Sequence, residues 1–171
     1  MESLRLEIAA NFGAGNQPHS NDVVLWDGFD QFEKESAFQF YTGKTWSDVL
    51  EHLRGLKDDP DFGAGYRLEE WSVLSQEALP YYLRAHLEFL LETLSSPQPD
   101  EEFIFFLLGA LYQVIYMHKG SPFNPAQTLL LQRVAQSVSK IANDRKRFAY
   151  FNQDIEAQVV TFLAELRAND S

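Results

Sequence analysis

Cysteine is absent from the 171 residues, which removes disulfides, thiolate nucleophiles, iron–sulfur clusters and Cys-based zinc sites together. Positive charge is scarce: 14 Lys and Arg stand against 25 Asp and Glu, for a formal net charge of -11. That excess opposes nonspecific attraction to phosphate backbones or anionic lipid and favours encounter with a basic partner; acidity for solubility alone gives the same balance. The expectation is therefore a chain that binds neither nucleic acid nor membrane. The amino terminus, MESLRLEIAANF, lacks a basic region followed by a long apolar stretch, so it does not read as a secretory signal, and the cytoplasm is the expected compartment. Catalytic signatures are missing as well: the four histidines form no H-E-x-x-H pattern, and no phosphate loop or cofactor motif occurs.

What is present is apolar. Hydrophobic residues make up 45% of the chain and aromatics 14%, well away from the balance of disordered sequences, so a core held by packing alone is expected. The length suits one well-buried core and is short for two, which gives a single domain over residues 1–171. The most informative stretch runs from Phe103 to Met117 (FIFFLLGALYQVIYM), with Gln113 as its one strongly polar side chain. As a helix it is roughly 22 Å long, short of the roughly 30 Å hydrocarbon layer of a bilayer. A helix apolar on every side must be surrounded by others. The fold class that follows is all-α, a bundle of six or seven helices around a central apolar helix at about 101–118.

Periodicity and capping residues place the companions. Leu4, Ile8 and Phe12 mark a first helix ending at Gly13 and Gly15. Val23 to Trp26 is a short apolar group that is either extended or a plug in the core. Phe32, Ala37, Phe40 and Tyr41 suit a helix capped by Asp30 and ending near Gly43, and Thr45 or Ser47 caps the next, with Val49, Leu50, Leu53 and Leu56 inward. Lys57 to Glu70 reads as a loop. Ser75 opens a helical pattern through Leu94, with a kink expected at Pro80. Asp100 to Glu102 put negative charge at the start of the apolar helix, Asn124 and Pro125 are a cap and first residue for a helix to about Asn143, and Gln153 to Ala168 is a last amphipathic helix.

Candidate sites are few. Asp59, Asp61 and Glu70 fall at positions one, three and twelve of a calcium-loop spacing, but Gly63 occupies position five and Ala64 position six, where a ligand and the turn glycine belong, so no metal and no cofactor is expected. Tyr82 and His86 lie one helical turn apart, but Glu88 is about 200° around the helix from His86, which argues against a nucleophile–base–carboxylate group on that helix alone. Asp58, Asp59, Asp61, Glu69 and Glu70 concentrate negative charge just before Trp71, and these six residues form the candidate interaction surface: charge to speed association and a ring to anchor it. The plain alternative is a wet loop with Trp71 in the core. Arg145, Lys146 and Arg147 are the one basic cluster and suit helix ends better than nucleic acid at this net charge.

Gly43-Lys44-Thr45-Trp46 and Leu74-Ser75-Gln76-Glu77-Ala78-Leu79-Pro80-Tyr81-Tyr82-Leu83, with Phe123-Asn124-Pro125 further on, resemble motifs of a family of short, mainly helical bacterial proteins of unknown function. The resemblance spans about Phe32 to Asn143 and implies a fold; it implies no enzymatic residue. Two functions are weighed: an acidic protein-interaction module of adaptor, inhibitor or immunity type, with a partner of basic or mixed surface, and a small-molecule binder or hydrolase with a site near His86. The first is preferred, because the chain shows charge without a catalytic constellation.

Overall fold

A computed structural model of the chain describes residues 1–13, 15–24, 31–56, 71, 73–117, 122–142 and 152–168. Seven α-helices run through them: α1 (Glu2–Asn11), α2 (Gln31–Tyr41), α3 (Trp46–Leu56), α4 (Ala78–Ser95), α5 (Glu101–Met117), α6 (Pro125–Ala142) and α7 (Asn152–Ala168), with a 3-10 turn at Ser20–Asp22. Buried side chains from all seven merge into one hydrophobic core. The all-α bundle read from the sequence is the fold observed.

Side chains set several helix starts. Thr45 Oγ1 accepts from the Asp48 N–H at 3.2 Å while the Thr45 N–H donates to the Asp48 carboxylate at 2.7 Å, a reciprocal cap on α3. Ser75 Oγ accepts from the Ala78 N–H at 3.0 Å at the start of α4, and the Asp100 carboxylate accepts from the Phe103 N–H at 2.9 Å at the start of α5. At α6, Asn124 Oδ1 takes the Gln127 N–H and Gln127 Oε1 takes the Asn124 N–H, both at 3.0 Å, with Pro125 as the first helical residue. Asn124→Ala is expected to cost about 1 kcal/mol, read from urea unfolding followed by circular dichroism. Pro80 does not need the expected kink. It is the third residue of α4, where the missing N–H has no intrahelical partner to lose, and its carbonyl accepts from the Gly13 N–H at 3.3 Å.

The apolar segment takes a different place from the one its composition suggested. α4 is the enclosed helix: Leu79, Tyr82, Leu83, Leu87, Leu90 and Leu94 are buried around it, and it packs against α1, α3 and α5. α5 lies to one side, against α7 and α4. It buries Phe103, Ile104, Leu107, Leu111 and Val114, yet leaves Phe106 43% and Tyr116 63% exposed. Aromatic rings count as apolar in a sequence but tolerate partial wetting, and that is how an uninterrupted run acquires a solvent face. Of the Val23–Trp26 group, Leu25 and Trp26 lie outside the described residues, and Val23 and Val24 plug the core: both are buried, Val23 ends the 3-10 turn in a helical conformation, Val24 forms an isolated antiparallel bridge with Leu74, and the Ser75 N–H donates to the Val23 carbonyl at 3.0 Å. None of the described helices is long and apolar enough to cross a membrane.

Candidate functional site

Of the six candidate interaction residues, Asp58, Asp59, Asp61, Glu69 and Glu70 lie outside the described residues, as does the Arg145–Arg147 cluster. Trp71 is described, and it is in the core at 1% exposure rather than on the surface where an interface anchor would stand. Its indole N–H donates to the Tyr41 hydroxyl at 3.0 Å, and its ring meets His86 edge to face with centroids 4.5 Å apart. A large amphipathic ring gains most by burial when its one polar atom finds an acceptor, and Tyr41 at the end of α2 provides it.

Tyr41 in turn packs against Tyr82 of α4, centroids 4.7 Å apart. The Tyr82 hydroxyl reaches the corner after α2, donating towards the Tyr41 carbonyl at 2.8 Å and the Lys44 carbonyl at 3.1 Å. Gly43, at φ +78, makes that corner, because an L side chain is strained there. Beyond it the Arg84 guanidinium stacks on Trp46, 3.8 Å from the ring. The residues of the Gly-Lys-Thr-Trp and Tyr-Tyr motifs therefore clamp the end of α2 and the start of α3 onto α4.

Gly13 closes the same region from the other side. It sits at φ +66, and a Cβ there would stand 2.5 Å from Arg84 Cδ and 3.2 Å from the Trp46 ring. With Arg84 pinned by its stack, Gly13→Ala is expected to lose about 1–3 kcal/mol, measured by thermal unfolding.

The Tyr82–His86 pair does not assemble into a catalytic group. His86 is 3% exposed, and neither ring nitrogen has a hydrogen-bond partner. Burial pushes its pKa down to about 3, so the ring is neutral at pH 7. Tyr82 is pushed the other way, up to about 12, chiefly by burial. A hydroxyl committed to main-chain carbonyls and an imidazole against an indole share no proton. The carboxylates nearby are engaged elsewhere: Glu92 pairs with Arg54 of α3, and Glu88 lies 3.8 Å from Arg84.

Concavities among the described residues include a notch and a groove. One, of about 140 Å³, is a polar notch lined by Asn11, Asn16, Glu77, Pro80, Tyr81 and Gln127. Its amides already serve the fold, since Gln127 donates to the Asn11 carbonyl and Asn11 to the Glu7 carbonyl, both at 2.8 Å. The other, of about 190 Å³, is a groove between α5 and α7 lined by Leu108, Gly109, Tyr112, Ala157, Gln158 and Thr161. Reasoning from the sequence missed this groove. The signal was the outward spacing of Ala157, Thr161 and Ala164, opposite the buried Ile155, Val159, Phe162 and Leu166. Among the described residues, no group of three or more His, Asp or Glu is placed to hold a metal ion.

The class these features define is an all-α bundle with an aromatic clamp in its core and an apolar groove on one side. No family model, curated protein or solved structure matches the chain.

Proposed function

We propose that the chain is an acidic protein-interaction module of adaptor, inhibitor or immunity type, acting in the cytoplasm on a partner of basic or mixed surface. The observation that carries this reading is how the charge is distributed. Arg54 is bound by Glu51 and Glu92, Arg133 by Glu7, and Arg84 is stacked on Trp46 beside Glu88. These three arginines are paired or stacked within the fold, while Glu2, Asp22, Glu33, Glu77 and Asp154 are exposed and the chain as a whole carries -11. A field of that sign speeds encounter with a cationic surface and falls with ionic strength. The acidic segment Asp58–Glu70 adds five carboxylates, Asp58, Asp59, Asp61, Glu69 and Glu70, to that balance. His86 as a base is not carried forward, because nothing around it accepts or delivers a proton.

The test is affinity capture from the native host with the intact chain and with Asp58→Asn/Asp59→Asn/Asp61→Asn. The expected result is a partner held at about 50 mM salt, released near 500 mM, and weakened in the triple variant. A partner indifferent to both salt and the substitutions, or none at low salt, would overturn the reading.

A further inference from the structure

The polar notch at the start of α4 is defined by what its walls have left to offer. Its wall donors are engaged elsewhere. Gln127 donates to the Asn11 carbonyl and Asn11 to the Glu7 carbonyl, both at 2.8 Å, and the Gly13 N–H goes to the Pro80 carbonyl at 3.3 Å. The helix starts beside it are closed in the same way. In α4, Ser75 takes the Ala78 N–H on its hydroxyl at 3.0 Å and the Leu79 N–H on its carbonyl at 2.9 Å, while Pro80 has none to give; in α6 the Asn124–Gln127 pair is reciprocal. These first-turn donors are not free to hold an anion.

What remains is rich in acceptors. Glu77, exposed at the N-cap of α4, makes no cap hydrogen bond and no ion pair with a described residue. Tyr81 is only 8% exposed, yet its hydroxyl bonds to no described residue, whereas that of Tyr82 next to it serves two carbonyls. A tyrosine so deeply buried ordinarily gives its hydroxyl a partner. Asn11, with its amide N–H directed to Glu7, keeps Oδ1 as an acceptor, and it closes α1, whose carbonyl end carries partial negative charge. Gly15 and Asn16 form an exposed rim, where an anion would meet Glu77. Arg84 stands behind Gly13 and directs its guanidinium to the Trp46 ring and the Ala9 carbonyl, so it does not neutralise that carboxylate.

We infer that the notch binds a primary ammonium group on a short alkyl stem, with Glu77 as its countercharge and the Tyr81 hydroxyl and Asn11 Oδ1 accepting its N–H groups. An ammonium has three donors and no acceptor, the complement of these walls. A neutral alcohol or amide leaves Glu77 unpaired. The volume of about 140 Å³ holds such a head group and a few methylenes. A free amine or a lysine side chain of another protein carries the same group; the lysine would make the notch a contact for the basic partner, but the inference does not depend on that reading.

Amide chemical shifts of the intact chain, titrated with 1,4-diaminobutane and with N-acetyl-lysine N-methylamide, test it. The expected result is saturable shifts confined to the amides of Gly13, Gly15, Asn16 and Tyr81. The ε-acetylated lysine probe, which keeps the stem and loses the charge, produces none; nor does tetramethylammonium, which keeps the charge and has no N–H donor, so attraction to the net negative chain is separated from binding. Glu77→Gln weakens binding about tenfold or more, and Tyr81→Phe about threefold or more with unchanged circular dichroism, since its hydroxyl supports no other group. Tighter binding of the lysine probe assigns the notch to a protein side chain, and tighter binding of the diamine assigns it to a free amine. Shifts that do not saturate by roughly 100 mM, that tetramethylammonium reproduces, or that both substitutions leave unmoved overturn the inference. Failure to capture a salt-sensitive partner removes the earlier reading alone, because these probes need no partner.

Discussion

Trp71→Ala is expected to lower the unfolding free energy by about 3–5 kcal/mol, among the largest single-residue effects in this fold. Trp71 is among the largest fully buried side chains, and truncation leaves a cavity between Tyr41 and His86 that neither ring can fill without giving up its present packing. The Tyr41 hydroxyl also loses its indole donor. Trp71→Phe separates the two contributions: it keeps most of the apolar contact and removes the hydrogen bond, so it costs about 1–3 kcal/mol. Guanidinium unfolding of the three proteins side by side measures the order. Equal midpoints for Trp71→Ala and the parent would place Trp71 on the surface after all.

The second large effect is a response to acid that one residue controls. His86 is held neutral by burial, with its pKa lowered from 6.5 to about 3, so the unfolded chain takes up a proton at a pH where the folded chain does not. The sign follows: the folded state loses stability as pH falls below about 6.5 and continues to lose it towards pH 3. At roughly 1.4 kcal/mol per unit, His86 alone removes about 2–3 kcal/mol between pH 6.5 and pH 4.5. Carboxylates such as Glu7 and Asp48, held below their ordinary range mainly by side-chain hydrogen bonds from Arg133 and Thr45, also weaken the fold in acid, so the informative quantity is a difference. His86→Leu keeps the volume and removes the titration. Relative to the parent, its stability should improve by about 2–3 kcal/mol on going from pH 6.5 to pH 4.5. Parallel acid profiles for the two proteins would contradict a buried, neutral His86.

Much of the architecture was legible from local chemistry. Asn124-Pro125, Asp100 and Thr45 announce helix starts whatever surrounds them, because the orphan N–H groups of a first turn need an acceptor in any context. The positions of Val49, Leu50 and Leu53 point inward by helical spacing alone. What was not legible depends on tertiary partners. Composition made α5 the axis, yet α4, with His86, Arg84 and Glu88 scattered among its leucines, is the enclosed helix: Trp71 covers the imidazole, and Arg84 turns its guanidinium to Trp46. Pro80 reads as a kink until the helix start is fixed two residues before it. Trp71 gave two readings, anchor or core, and only the position of Tyr41 thirty residues earlier decides between them. The groove was invisible for the same reason, since a valley needs two helices side by side and a sequence shows one at a time.

Everything rests on α4 as the shielded middle of the bundle, with the aromatic clamp fastened to it and α5 half open beside it. Residue-resolved amide hydrogen exchange measures that ranking directly. The expected result is that amides from Leu83 to Leu94 exchange only with global unfolding, with α5 protected to a similar or lesser degree. Fast exchange along α4, with protection concentrated in α5 instead, would contradict it.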